Sequence, residues 1–182
     1  ADLELRAGAT RTAEARAGEA FEAGVALDRV LSLVALAMAK QEWDLARKLV
    51  DQAGSLPGAE SSKPLKRPDA RLLLESGEDP GEGASRLSAL IEEDPTDGRS
   101  LLSLGRHLAA SGRSDEGELL LERAAAVGET AADAWVELAR LRVDQRRYEA
   151  ALEAVEQALE RRPGGELEAY RESLRRLVEA AR

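Results

Sequence analysis

The chain has no cysteine, few aromatic residues and no basic excess, and each shortage excludes a class of protein. Without cysteine, disulfides, thiolate zinc sites and cysteine nucleophiles are all excluded. Aromatic residues make up only 3% of the chain and Ile91 is its only isoleucine, so residues that favour a pleated sheet are scarce. A net charge of −9 disfavours non-specific attraction to phosphates. We therefore expect an all-α protein that does not bind nucleic acid.

The chain also lacks an apolar run that could span a bilayer. Its longest such stretch, residues 30–39, is interrupted by Ser32 and is shorter than the roughly 20 residues that a spanning helix needs. No secretory signal is visible, so we expect no membrane insertion and a cytoplasmic location. The chain begins at Ala1 without a methionine, so the alternative is a removed leader and a periplasmic location, or a further domain upstream.

What the chain does contain is an internal repeat, with a period of about 34 residues. The clearest unit begins with Trp135, Leu138 and Ala139, and the same template recurs one period earlier at Leu104 and Gly105. Within each unit, apolar residues recur three and four positions apart, as one face of a helix requires. Glycine or proline marks several helix ends, at Ser111-Gly112, Glu78-Asp79-Pro80-Gly81 and Pro163-Gly164-Gly165. Each unit therefore predicts two short amphipathic helices with a turn between them.

This spacing resembles a known family. The pattern Trp135-x2-Leu138-Ala139, then Tyr148-x2-Ala151-x3-Val155-x2-Ala158-x4-Pro163, is similar to the tetratricopeptide repeat. The resemblance covers roughly residues 27–165 and implies a right-handed superhelical solenoid of stacked antiparallel helix pairs. The divisions we expect are an N-terminal helix or partial repeat at 1–26, repeats at 27–63, 64–97, 98–131 and 132–165, and a capping helix at 166–182.

Two parts of the chain depart from this pattern. The first repeat is longer than the period of the others, so we predict a lengthened loop at 58–63. In the 64–97 repeat, counting back by one period places Arg67 and Arg71 where a core residue and a small residue are expected. Pro64 and Pro68 are expected to delay its first helix until about Asp69. Ahead of all the repeats, residues 10–23 predict one more helix.

Small residues recur where the two helices of a pair must cross closely. Gly105 and Ala139 occupy this position on the first helix, and Gly117 and Ala151 occupy it on the second. A larger side chain there would overpack the crossing, at a cost of roughly 1–3 kcal/mol.

No constellation of catalytic or metal-binding residues is found. His107 is the only histidine, and the positions four residues to either side of it are Ser103 and Ser111, a poor ligand set. The Gly-rich stretches lack a preceding strand and a Gly-Lys-Ser/Thr, so phosphate-loop interpretations fail. We therefore expect no catalytic residue, no metal site and no cofactor.

The resemblance implies that the first helices of successive pairs line an inner groove in which peptides bind. The residues of those helices expected to point away from the core are Arg99, Leu102, Ser103 and Arg106 in one repeat, followed by Asp133, Val136, Glu137 and Arg140 in the next.

Arg106 and Arg140 are related by one repeat, so they are expected on adjacent helices about 10 Å apart. Together with Arg99, guanidinium groups at that spacing suit the carboxylates of an acidic segment. The alternative is that these arginines only offset Asp133, Glu137 and Asp144 along a solvated surface, where each pair contributes roughly 0–1 kcal/mol.

These observations favour a non-catalytic scaffold that holds a protein or peptide partner, with an acidic segment as the candidate ligand. The alternative is a regulatory or substrate-presenting domain of a larger bacterial enzyme or of a secretion or assembly component. A bacterial source is inferred from the preference for arginine over lysine and the absence of asparagine. The sequence does not determine the oligomeric state.

Overall fold

The computed structural model describes residues 27–55 and 63–181, and within these residues it contains helices and turns but no strand. None of the described helices is both long and apolar enough to cross a membrane. The helix predicted at 10–23 and most of the loop predicted at 58–63 lie outside the described residues. The described helices are α1 (Leu27–Ala39), α2 (Trp43–Gly54), α3 (Lys63–Ser76), α4 (Pro80–Glu93), α5 (Gly98–Ala110), α6 (Ser114–Ala125), α7 (Ala131–Asp144), α8 (Tyr148–Arg161) and α9 (Gly165–Ala180).

The described helices form two compact units, and the division between them falls within α4, between Leu87 and Ser88. In the first unit, α1, α2 and α3 pack on one another around a core that includes Val34, Ala46 and Leu49. In the second unit, each helix from α5 to α9 packs on the next, and α5 also contacts α7. Its core includes the fully buried Leu138 and Val155. The prediction of an all-α protein built from stacked helix pairs is confirmed.

The turn inside each pair has three residues, and one of them adopts a left-handed backbone conformation. This residue is glycine in two turns, Gly77 and Gly112, and it is Gln41 and Arg146 in the other two, with φ of 59° and 60°. A side chain in this conformation costs roughly 1–2 kcal/mol. Each turn therefore reverses the chain through one left-handed residue, even where that residue is not glycine.

In the degenerate 64–97 repeat, three residues separate the helices as in the other pairs, but the left-handed residue and the hydrogen bond that closes the turn are each displaced by one residue. In the α5–α6 turn, Gly112 lies two residues before α6, whereas Gly77 lies three residues before α4. The backbone hydrogen bond that closes each turn shows the same difference. Arg113 N donates to Leu108 O, five residues back, whereas Asp79 N donates to Leu73 O, six residues back.

The prediction that Arg71 occupies the small-residue position of the helix crossing is therefore wrong. A Cβ added at Gly83 of α4 would lie 2.8 Å from Ala70 O and 2.6 Å from Leu74 N, so Ala70 provides the small residue. Arg71 instead pairs with Glu75, at 3.0 Å. Counting back by one repeat period placed the crossing at Arg71 and not at Ala70, because the count assumed the same separation between the crossing residues of every pair.

The prediction that the prolines delay α3 until Asp69 is wrong, because the helix begins at Lys63 and contains Pro68. A proline inside a helix costs about 3 kcal/mol. Leu65 and Leu72 join the core of the first unit, and full burial of a leucine contributes roughly 1.5–3 kcal/mol. The free energy gained by burying the two leucines therefore offsets the cost of the proline.

Glycine lets the two helices of the α5–α6 pair approach each other. A Cβ added at Gly117 would lie 2.7 Å from Ala109 N and 2.8 Å from Gly105 O, and both of these are backbone atoms. Because backbone cannot swing aside, such a contact requires the helices to separate. The predicted roles of Gly105 and Gly117 as small residues at a close crossing are thus confirmed.

We predict that Gly117→Ala lowers the free energy of unfolding by about 1–3 kcal/mol, because overpacking outweighs the higher helix propensity of alanine. Gly165→Ala is the control, since a Cβ at Gly165 meets nothing within 4 Å. Urea unfolding followed by circular dichroism measures both variants. If the urea midpoint of Gly117→Ala equals or exceeds that of the control, the crossing accommodates a Cβ and the prediction is wrong.

Ion pairs join the second helix of one pair to the following pair, with opposite signs in the two units. In the first unit, Arg47 of α2 binds Asp69 at 2.8 Å and Glu78 at 2.6 Å. In the second unit, Glu118 of α6 accepts hydrogen bonds from Arg142 at 3.0 Å and Arg147 at 2.7 Å. Burial disfavours the ionised form of Glu118, but the bonds from Arg147 and Arg142 outweigh it, so the pKa of Glu118 lies below its ordinary value of 4.5.

We predict that Glu118→Gln lowers the free energy of unfolding at neutral pH and that the difference from the wild type disappears at acidic pH. Because the folded-state pKa is lowered, the carboxylate stabilises the fold above pH 4.5 and loses that effect as the pH falls through the folded-state value. Unfolding midpoints measured against pH check this. Glu122→Gln, which removes a more exposed group 3.3 Å from Arg142, should have a smaller effect. An effect of Glu118→Gln that does not change with pH would contradict the prediction.

Candidate functional site

Three of the predicted groove residues form one cluster where α5 and α7 lie side by side. Glu137 Oε1 lies 3.1 Å from Nη2 of Arg106 and accepts a hydrogen bond of 2.9 Å from Nη1 of Arg140. The side chain of Glu137 is only 13% exposed, whereas those of Arg106 and Arg140 are 48% and 63% exposed. The carboxylate therefore lies beneath two guanidinium groups that face solvent.

The two arginines keep most of their hydrogen-bonding capacity. A guanidinium carries five N–H donors in a fixed planar arrangement. Glu137 is contacted by one nitrogen of each guanidinium, Nη2 of Arg106 and Nη1 of Arg140, so each arginine has further donors available on its exposed side. These three side chains together carry a charge of +1 on a chain whose net charge is −9, and the exposed Asp144 lies close enough to act on the same surface. This cluster can therefore attract an anion even though the whole protein is acidic.

Tyr170 of α9 is a fourth member of this surface. Burial raises the pKa of Tyr170; the charge of Arg140 opposes that rise, while Asp144 and Glu137 add to it. The phenol is therefore neutral at physiological pH and can donate its hydrogen to an acceptor. These charges act on Tyr170 because α9 brings it close to the same end of α7.

Tyr170 is not among the groove residues predicted from the sequence. The signal that could have placed it in the groove is the repeat period. Tyr170 follows Val136 by one period, as Val136 follows Leu102, and both of those were groove candidates. The candidate surface, here called the inner face, consists of Arg106, Glu137, Arg140 and Tyr170.

The remaining predicted site residues lie outside this cluster. Arg99 pairs with Glu129 at 3.2 Å, and Asp133 accepts a hydrogen bond of 2.6 Å from Arg162. Both occur in the first turns of their helices. Ser103 and Val136 are buried and Leu102 is half-buried, so this trio offers little surface to a ligand.

Within residues 27–55 and 63–181, no group of three or more histidine, cysteine, aspartate or glutamate side chains is arranged to hold a metal ion. His107 is half-buried on α5. Its backbone carbonyl accepts the bond from Ser111 N that ends the helix. The chemistry that the inner face offers is therefore ionic and hydrogen-bonding recognition.

Comparison with known proteins agrees with this architecture. A profile of the tetratricopeptide repeat matches residues 69–135, 102–166 and 136–182, and these matches together cover more than half of the chain. The chain belongs to the tetratricopeptide-repeat family. Its fold is thus one typical of protein–protein interaction scaffolds, and α5, α7 and α9 occupy the first-helix positions of successive repeats. No curated protein gave a match.

Solved tetratricopeptide-repeat structures share this fold. TTC0263, a thermophilic protein of Thermus thermophilus, is 18% identical, with a TM-score of 0.72 over 94% of each chain. YrrB, described as having an unusual peptide-binding site, is 18% identical, with a TM-score of 0.56 over 94% of this chain and 88% of that one. The C-terminal part of a repeat protein from Cytophaga hutchinsonii is 14% identical, with a TM-score of 0.61 over 99% and 70%. At such identities, the similarity establishes the fold alone.

We predict opposite shifts of the Tyr170 pKa when its charged neighbours are neutralised. Arg140→Gln removes a charge that favours the phenolate and should raise this pKa, whereas Asp144→Asn should lower it. Both substitutions are made in a Tyr148→Phe variant, because Tyr170 is then the only tyrosine and the phenolate signal comes from it alone. Absorbance of the phenolate against pH gives the values, and circular dichroism confirms that the protein stays folded. Shifts of the same sign would contradict the inner-face geometry.

Proposed function

We propose that this chain is a non-catalytic scaffold that binds an acidic protein or peptide segment on its inner face. The observation that carries the proposal is the pair of exposed guanidinium groups, Arg106 and Arg140, on adjacent first helices. Arginine pairs with carboxylate through two parallel hydrogen bonds, which gives orientation as well as attraction. A segment with several carboxylates can therefore be held in a defined register.

The family supports a partner of this kind. Tetratricopeptide-repeat proteins bind protein or peptide partners, and YrrB is one whose peptide-binding site has been described. Tyr170 extends the inner face to a third first-helix position with a hydrogen-bond donor. Arg106, Arg140 and Tyr170 thus present donors from the first helices of three successive repeats, which suits an extended segment that crosses them.

Attraction at this site is expected to be mainly ionic. Exposed charges interact weakly across water, and the Debye length is about 8 Å at physiological ionic strength. Binding should therefore weaken steeply as salt is added. Recognition through apolar contacts would instead be insensitive to salt or strengthened by it.

We predict that Arg106→Glu with Arg140→Glu abolishes binding of an acidic peptide and leaves helicity unchanged. The probe is a fluorescent peptide with a run of glutamates between glycine–serine flanks, and its matched peptide carries glutamine instead. Fluorescence anisotropy at low and physiological salt gives the affinities. The wild-type protein should prefer the glutamate peptide, whereas the reversed charges of the double variant should repel it.

Two control variants separate local from global effects. Arg123→Glu with Arg176→Glu makes the same change in net charge at exposed positions of α6 and α9, and it should retain most of the binding. His107→Gln should bind as the wild type does. If reversal of Arg106 and Arg140 weakens binding no more than the Arg123 and Arg176 control does, the inner face is not the site.

A further inference from the structure

Glu137 differs from the other members of the inner face in both charge and burial. It is the only acidic member, its side chain is 13% exposed, and one of its oxygens contacts both arginines. A negative charge placed at the centre of a site for negative ligands opposes the binding that the site performs. The proposed binding of acidic ligands by Arg106 and Arg140 does not explain why an acidic side chain lies between them.

We propose that Glu137 determines the specificity of the inner face by acting as an internal competitor for its arginines. The inference rests on the proposed function. Glu137 neutralises one of the two cations, so a ligand with a single carboxylate meets a net charge of only +1. A ligand with several closely spaced carboxylates engages the outward donors of both Arg106 and Arg140. The inner face thereby selects clustered acidic residues over isolated ones.

The spacing of the arginines fits this ligand class. Neighbouring packed helices lie about 8–10 Å apart. In an extended segment, alternate side chains point the same way and lie about 7 Å apart, at roughly 3.3 Å per residue. Carboxylates on alternate residues of such a segment can therefore reach guanidinium groups on α5 and α7. A single ligand carboxylate could bridge both guanidinium groups only by displacing Glu137, whose Oε1 already contacts both.

The rival role for Glu137 is to position the arginines for the ligand. The two roles predict opposite effects of neutralisation. A positioning residue improves binding, so its loss weakens binding. A competitor reduces binding, so its loss strengthens it. The exposure of the arginines favours competition, because Glu137 meets each guanidinium from beneath and leaves its outer side to solvent.

The test is Glu137→Gln, measured with three peptides that carry a run of glutamates, a single glutamate, or glutamine throughout. Removing a charge a few ångströms from the ligand should tighten binding of the multi-glutamate peptide on the order of tenfold. The single-glutamate peptide should gain enough affinity to be measured, so the preference for clustered acids should narrow. Glu153→Gln on α8 is the control, since it makes the same change in net charge at an exposed position outside the inner face.

The outcomes separate this inference from the proposed function. If Glu137→Gln binds the multi-glutamate peptide as the wild type does, or more weakly, Glu137 is no competitor and the inference fails while the scaffold function stands. A gain equal to that of Glu153→Gln also overturns the inference, because net charge would then explain it. If neither wild type nor Glu137→Gln prefers glutamate over glutamine, the proposed function itself fails. Circular dichroism shows that each variant is folded.

Discussion

The close crossing of the two helices within each pair is the constraint on which the rest of the structure depends. At this point the backbones approach so nearly that only a small residue fits, as Gly83 shows against Ala70 and Gly117 against Gly105. Because the helices cannot separate there, the crossing determines how each first helix is rotated about its axis. That rotation decides which side chains enter the core and which face outward.

The ion pairs between successive pairs add order to this packing. Arg47 and Glu118 lie at corresponding positions of their second helices, yet one is basic and the other acidic, and each finds partners of opposite sign in the following pair. The paired side chains are partly buried, so a like charge in place of either partner would be unfavourable. Each matching charge therefore favours the observed neighbour over one that would place a like charge there.

The same packing produces the inner face. Since α5 and α7 carry equivalent positions one repeat apart, Arg106 and Arg140 come together without being close in the chain. Glu137 then lies between them, and α9 brings Tyr170 to the same surface. A repeat thus builds an extended surface from side chains that are each placed by local helix geometry. The chemistry of that surface depends on which residues occupy equivalent positions.

The sequence alone determined the all-α class, the helix pairs, the family and the small residues at the crossings, because each of these leaves a periodic local pattern. It also located Arg106 and Arg140, and the same period extended once more would have found Tyr170. It misplaced Arg71 because one extra residue between the crossing positions of α3 and α4 leaves no periodic signal but moves the crossing by one position. Only the tertiary structure decided that Pro68 is tolerated and that Glu137 pairs with two arginines. Burial and ion pairing depend on distances between helices, and those distances are set by packing across the fold.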